Sequence, residues 1–395
     1  MSLLSVDMKR VQRVLIIRGS AIGDVLHATP LAAALKETYP HLEITWITEE
    51  ICADVVLGNP YLKDVIVIPR SRWKQGRFRS PRVWAEYLSF LRSIRARRFD
   101  LTLDLQGYAK SALLVLGAGA RVRLGWWRMR DGANIVSQPL PRRQESLHRV
   151  DWFLDVARAL GAECSNIRFS LAIPDSARSD MKVELYKAGI DPNVPYAVIN
   201  QAAGDPARRW NAERYGQVVW ELADRHQLPS ILVGVHSDYE PNETIIARYR
   251  ALVASHAKDQ FNVHEPVNLA GKTDLKQLFA LIDRCAIQIS GDTGSLHIAA
   301  ALNRPVVALF GSSDPVHAGP WGQMQNVIAH RELCRPECTV RKCAYQPEAQ
   351  AGDRISQAAH FADLNNEPVH SRSGAYCLDA ITPDEVMAKA ARLLK

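Results

Sequence analysis

Two stretches of this chain, one near each end, follow the same local plan, and that repetition limits the fold more than any other feature. Towards the C-terminus, apolar residues 286–289 run into Ser290-Gly291-Asp292-Thr293-Gly294. A helical segment follows over 295–302, and Asn303-Arg304-Pro305 leads into a second apolar strand at 306–310. Near the N-terminus, Arg13-Val14-Leu15-Ile16-Ile17-Arg18 precedes Gly19-Ser20-Ala21-Ile22-Gly23-Asp24. Helical periodicity over 25–38 and a strand at 43–48 come next, with Pro30 one turn into the helix, where proline is still tolerated. Both are β-α-β units with an acidic residue just after a glycine turn. Glycine lets the backbone turn sharply and approach a ligand. The helix that follows aims free N–H groups and the positive end of its dipole at the turn, a setting for a phosphate or diphosphate. Ligands bind at the carboxyl ends of strands in such sheets. Two such mouths facing across a cleft would set Asp24 opposite Asp292.

The rest of the chain alternates strands and helices in the same way. Strands are expected at 65–68, 101–105, 122–125, 196–200, 230–235 and 267–269, and helices at 81–97, 146–160 and 175–189. This alternation implies doubly wound parallel sheets. The length of 395 residues suits two domains. The expected boundaries are 1–175 for the first domain and 176–380 for the second, with 381–395 as a terminal helix. Residues 346–376 are polar and weakly periodic and read as a long surface loop. Thr382, Pro383 and Glu385 supply an N-cap, a first-turn proline and a capping box for the last helix.

Several function classes lose ground on spacing. The separation of Gly19 and Gly23 does not fit a dinucleotide-binding G-x-G-x-x-G. Gly107-Tyr108-Ala109-Lys110-Ser111 lacks the glycines of a P-loop. No apolar run reaches the roughly 18 residues of a membrane span, and the first twelve residues lack a signal-peptide core. A cytoplasmic location is expected.

The net charge of +7 is uneven. Residues 1–150 hold 24 Lys+Arg against 13 Asp+Glu, and the remainder hold 25 against 29. Between Arg70 and Arg98 ten basic residues face one acid, Glu86. Such a patch attracts anionic lipid headgroups or phosphorylated sugars. Trp73, Phe78 and Trp84 interleave with the charges, as on a membrane-facing amphipathic surface. No nucleic-acid-binding motif accompanies the patch, so nucleic acid is not an expected partner. Cys334, Cys338, Cys343 and Cys377 cluster without a C-x-x-C pair, so no metal is assigned to them.

Four motifs now stand in order: Gly23-Asp24-Val25-Leu26-His27-Ala28-Thr29-Pro30, Asp104-Leu105-Gln106-Gly107, Arg208-Arg209-Trp210, and Gly291-Asp292-Thr293-Gly294 with His297. Together they resemble glycosyltransferase family 9, the ADP-heptose:lipopolysaccharide heptosyltransferases. The likeness runs from about residue 13 to 322 and resumes at Ile381-Thr382-Pro383. It implies an α/β GT-B fold, with two facing Rossmann-like domains, parallel sheets and a C-terminal helix crossing back to the first domain. It implies an inverting transfer of heptose to the Kdo/heptose inner core of lipopolysaccharide, at the cytoplasmic face of the inner membrane. No cofactor or catalytic metal is expected beyond the donor substrate.

The chemistry needs a base, stabilisation of the leaving diphosphate and a grip on the nucleotide. The resemblance makes Asp24 the base and gives His297 a functional role. Arg208 stands where relatives carry a phosphate-binding lysine; its planar fork changes the geometry of that contact. Thr293 and Gly294 are expected at the diphosphate, and Asp292 at sugar hydroxyls. Asp238 follows a strand and is the expected ribose contact, with Glu240 also within reach. Lys272 is expected beside the adenine. Arg70, Arg72 and Lys74 are the candidate contacts to an anionic acceptor. The rival readings are a sugar-nucleotide epimerase of the same fold, a family 9 transferase with another donor sugar, and a non-catalytic binding protein.

Overall fold

Each half of the chain builds its own six-stranded, all-parallel sheet. The computed structural model describes residues 6–75, 80–204, 208–256, 264–333 and 376–395. The chain divides into units 1–172 and 173–395.

The first unit runs β1 (Arg13–Ile17), α1 (Ile22–Thr38), β2 (Glu43–Glu49), α2 (Ala53–Val56), β3 (Asp64–Ile68), α3 (Arg70–Gln75), α4 (Pro81–Ala96), β4 (Leu101–Asp104), α5 (Ala109–Ala118), β5 (Val122–Gly125), α6 (Ala133–Val136), β6 (Gln138–Pro139) and α7 (Arg149–Ala159). Its sheet order is β3-β2-β1-β4-β5-β6. The second runs α8 (Asp175–Lys187), β7 (Ala197–Asn200), α9 (Ala212–His226), β8 (Ser230–Leu232), α10 (Tyr239–His256), β9 (Val267–Asn268), α11 (Leu275–Arg284), β10 (Ile287–Gly291), α12 (Gly294–Ala301), β11 (Val306–Leu309), α13 (Pro315–Ala318), β12 (Val327–Ile328), α14 (Tyr376–Asp379) and α15 (Pro383–Leu393). Its order is β12-β11-β10-β7-β8-β9. Counted within its own unit, each sheet reads 3-2-1-4-5-6. The strand order reverses between β1 and β4, and again between β7 and β10, where such sheets open a crevice for ligands.

The central strands are apolar because both faces are covered. In the first unit, Leu15, Ile17, Ile47 and Ile66 pack with Ile94 and Phe99 at the end of α4 and with Leu114, Val115 and Ala118 of α5. Gly117 lets α4 seat closely, since a Cβ there would stand 2.6 Å from Leu91 Cδ2. Helix α1 lies between sheet and α7 and is buried over Val25–Leu35, which is why it is apolar all round rather than amphipathic.

Helix α1 starts earlier than the sequence suggested, so Pro30 is an interior residue. Its missing N–H would orphan the carbonyl of Leu26, four residues back. The buried Thr29 hydroxyl donates to that carbonyl instead, at 2.8 Å. Edge strands β6 and β12, two residues each, carried no sequence signal, and Pro139 is tolerated only because β6 is an edge.

The terminal helix forms with its capping box, Glu385 N–H donating to Thr382 Oγ1 and Thr382 N–H to Glu385. Val386, Met387 and Ala390 are built into the second unit's core against α9 and β11. The preceding chain is tied to the same place, because Trp210 Nε1 and Arg214 both donate to the carbonyl of Ile381. Trp73 corrects one expectation. It is buried, edge-on to Tyr87 and Phe90, and offers no surface to a membrane. The expected loop at 346–376, Phe78, and Cys334, Cys338 and Cys343 fall outside the described residues, apart from the backbone of Tyr376; Cys377 is buried.

Candidate functional site

In the first unit the reversal point gathers the residues after β1 and β4. Arg18 ends the β1 run with its side chain only 5% exposed. It donates to the carbonyl of Leu105 at 2.7 Å and reaches Asp24 at 2.6 Å. Its guanidinium lies 5.6 and 5.4 Å from the ring centres of Trp126 and Phe153, which stack on each other. Arg149, at the start of α7, holds the other oxygen of Asp24 at 3.0 Å. Asp24 therefore does not cap α1. It sits in the first turn, 25% exposed, with each carboxylate oxygen on a separate arginine.

The Asp104-Leu105-Gln106-Gly107 motif shapes the wall beside it. Gln106 Oε1 accepts from the N–H of Gly19 at 2.9 Å, tying the two strand ends together. Buried Asp104 accepts from the N–H groups of Gln106 and Gly107 and from Ser111 Oγ. Burial pushes its carboxyl above the usual range, and these hydrogen bonds pull the other way. Gly107 has φ +72, and a Cβ there would meet Trp126 Nε1 at 2.6 Å, so glycine is required twice over. A cavity of about 460 Å³ opens here, lined among others by Ser20, Glu49, Arg70, Gln106, Tyr108 and Lys110.

Of the expected acceptor contacts, Arg70 lines this cavity and pairs with Glu49. Arg72 pairs with Glu86 at 2.8 Å and does not line it. The side chain of Lys74 lies outside the described residues. Arg149 was missed. It lies 125 residues from its partner, and no local pattern marks such a contact.

In the second unit the turn after β10 forms as expected and α12 begins at Gly294. Asn200, at the end of β7, donates to Ser295 Oγ at 2.8 Å, and Ser295 Oγ meets Thr293 Oγ1 at 2.9 Å. This chain fixes Thr293 at the mouth of the helix. Asp292 is 11% exposed. Arg208 reaches one of its oxygens at 3.1 Å and His297 Nε2 the other at 3.4 Å. Burial alone would raise the Asp292 carboxyl. The hydrogen bond and charge of His297 and the charge of Arg208 outweigh it and hold the carboxyl at about 2. Asp292 is thus a compensated anion inside a cationic cluster.

Asp238 is turned inward and 2% exposed. It accepts from the N–H of Val235 at 2.9 Å, and Arg209 stands 4.0 Å away. Gly234 makes room for it, since a Cβ there would lie 2.8 Å from its carboxylate. Asp238 is buried at the head of α10, and Glu240 is the exposed carboxylate of that turn. Lys272 donates to the carbonyl of Asn268 at 3.1 Å and lies 5.5 Å from the Tyr239 ring centre. Among the described residues no group of three or more His, Cys, Asp or Glu could hold a metal ion. No described helix is long and apolar enough to cross a membrane.

Comparison with known proteins bears on these halves together. The model of glycosyltransferase family 9 (heptosyltransferase) matches residues 87–348, more than half of the chain. A lipopolysaccharide core heptosyltransferase, OpsX of Haemophilus influenzae, is 27% identical over 318 residues, covering 80% of this chain and 83% of its own. Among solved structures, a family 9 glycosyl transferase from Veillonella parvula superposes with a TM-score of 0.73 at 21% identity, covering 97% of both chains. The Escherichia coli ADP-heptose lipopolysaccharide heptosyltransferase II does so with 0.70 at 23% identity, covering 97% of this chain and 98% of that one.

Proposed function

Because the chain belongs to glycosyltransferase family 9, we propose that it moves heptose from ADP-L-glycero-D-manno-heptose to the Kdo/heptose inner core of lipopolysaccharide, with inversion at the anomeric carbon. Each unit is assigned its own half of the reaction. The observation that carries the reading is Asp24, a carboxylate at the carboxyl end of β1 whose two oxygens are fixed by Arg18 and Arg149.

In this reading Asp24 takes the proton from the acceptor hydroxyl as that oxygen bonds to the anomeric carbon. The bond from that carbon to the β-phosphate oxygen breaks, and ADP leaves with the electron pair. A positioned base of this kind contributes about 10²–10⁴-fold. Arg208, the N–H groups opening α12 at Gly294, and Thr293 Oγ1 take up the charge on the leaving diphosphate. Asp292 orients Arg208 and His297, and His297, buried behind it, is a positioning residue. Glu240 takes the ribose in place of buried Asp238, and Lys272 with Tyr239 flanks the adenine. Arg70 and the half-exposed Arg149 meet the carboxylates and phosphates of the acceptor. Arg72 extends that basic surface, and Lys74 is proposed for the same acceptor on its charge alone. The enzyme works at the cytoplasmic face of the inner membrane, in peripheral contact with anionic lipid.

The test is to incubate the protein with ADP-heptose and Kdo-bearing lipid A and to read the acceptor by mass spectrometry. The reading expects a gain of one heptose with release of ADP, and no gain for Asp24→Ala. Transfer from another nucleotide sugar, with none from ADP-heptose, would replace the donor. No transfer to either a Kdo-terminated or a heptosylated acceptor would remove the assignment.

A further inference from the structure

We propose that the outer face of α4, α5 and α6 is the surface by which this protein docks on an anionic lipid bilayer. The proposal deepens the membrane contact proposed above, and rests on that reading only for its purpose. The three helices cover one face of the first unit's sheet, α4 packed on α5 and α5 on α6. Their inward residues, Ile94, Leu114 and Val115, are buried in the core. Their outward residues are also large and apolar. Trp84 is 48% exposed, Leu88 47%, Leu113 52%, Leu116 46% and Ile135 86%.

Single exposed hydrophobic residues are ordinary, whereas a group of five on adjacent helices is not. Their spacing pairs them within each helix. Trp84 and Leu88 are four residues apart on α4, and Leu113 and Leu116 three apart on α5, so each pair shares one helix face. On α4, Arg92 and Arg95 continue the line of Trp84 and Leu88, and Arg82 stands beside them; the only acid of that helix is Glu86. Apolar side chains flanked by arginines match a bilayer of anionic headgroups over acyl chains. A second copy of the chain would bring like charges together on this surface.

The position suits a lipid-anchored acceptor. Tyr108, Ala109 and Lys110 at the head of α5 line the cavity beside Asp24's loop, and Leu113 and Leu116 lie one and two turns further along the same helix. A saccharide whose lipid stays in the bilayer would then approach the cavity along α5.

Vesicle co-sedimentation with the full chain tests this. Vesicles of phosphatidylethanolamine with and without phosphatidylglycerol would be compared at low and high salt. The variants are Trp84→Ser with Leu88→Ser, Leu113→Ser with Leu116→Ser, and Arg92→Glu alone, the last leaving the apolar face intact. The expected result is binding that requires phosphatidylglycerol, weakens with salt and falls about tenfold or more in each variant. Their kcat/KM on a delipidated, water-soluble acceptor should equal that of the wild type. Absence of binding, or binding equal in wild type and variants, would overturn the proposal. So would a dimer in light scattering that the serine variants dissociate, which would make the face a contact between copies. Because binding is read on vesicles without acceptor, it stands or falls separately from the heptose assignment.

Discussion

Replacing Arg18 by methionine removes a buried cation and keeps most of its stem. Two bonds go with it, to Asp24 at 2.6 Å and to the Leu105 carbonyl at 2.7 Å. Breaking a buried ion pair by removing one partner costs about 3–5 kcal/mol, because the other charge is left behind. Asp24 is 25% exposed and keeps Arg149, which puts the cost at the low end, about 3 kcal/mol. The orphaned carbonyl adds about 1 kcal/mol. Contacts of the methionine sulfur with Trp126 and Phe153 offset the lost cation–π attraction. For a unit of this size a loss of about 3–4 kcal/mol lowers the melting transition by roughly 6–16 °C. Arg149→Met is the control. It removes an ion pair to the same carboxylate, but from a side chain 40% exposed, so about 1 kcal/mol or less is expected. Differential scanning calorimetry with urea denaturation measures both. In turnover, Arg18→Met should lose about 10²-fold in kcat, the scale of a base displaced by an ångström. Equal destabilisation by the two variants, or less than about 1 kcal/mol for Arg18→Met, would refute the argument that burial makes Arg18 the principal support of Asp24.

Thr29→Val should cost about 1–2 kcal/mol, because the Leu26 carbonyl loses its donor. In a Pro30→Ala background the restored N–H can serve that carbonyl, so the same change should become nearly neutral in a double-mutant cycle. Asp292→Asn should lower stability by about 3 kcal/mol at pH 7, since Arg208 and His297 lose a shared anion. The Asp292 carboxyl is depressed to about 2, so its contribution is complete above about pH 4 and declines only between about 4 and 2; urea melts against pH would show this. Asp379 behaves oppositely: burial lifts its carboxyl to about 7 against the pull of Arg214. The folded chain then holds a proton the unfolded chain has lost, and stability falls as pH rises from about 4 to 7. Asp379→Asn should flatten that slope and stabilise the protein at pH 8 by up to about 4 kcal/mol, with little effect near pH 4.

What was legible in the sequence was local. The runs at 13–17, 101–105 and 306–310 read as buried strands because both faces of these sheets are covered, and the glycine turns before Asp24 and Asp292 stood out against them. Thr382, Pro383 and Glu385 announced a helix start, and the capping box is there. Contacts set by packing were not legible. Asp238 and Asp24 look alike as carboxylates after a strand, yet one folds back onto the N–H of Val235 and the other is drawn between two arginines. Arg149 gives no sign in its own segment, because its partner is brought to it only by the docking of α7 on α1. Trp73 sat among arginines and read as surface, whereas Tyr87 and Phe90 of α4 enclose it. The start of the terminal helix was legible, whereas the core that takes Val386, Met387 and Ala390, that of α9 and β11, was not.

The central claim is that Asp24 is the base and that the donor is held by other residues. It is tested most directly by the rate of heptose transfer from saturating ADP-heptose to Kdo-bearing lipid A, for wild type and Asp24→Asn, with ADP affinity measured on the same samples. The account predicts a fall of about 10²–10⁴-fold in rate with ADP affinity unchanged. A rate within tenfold of wild type would contradict it.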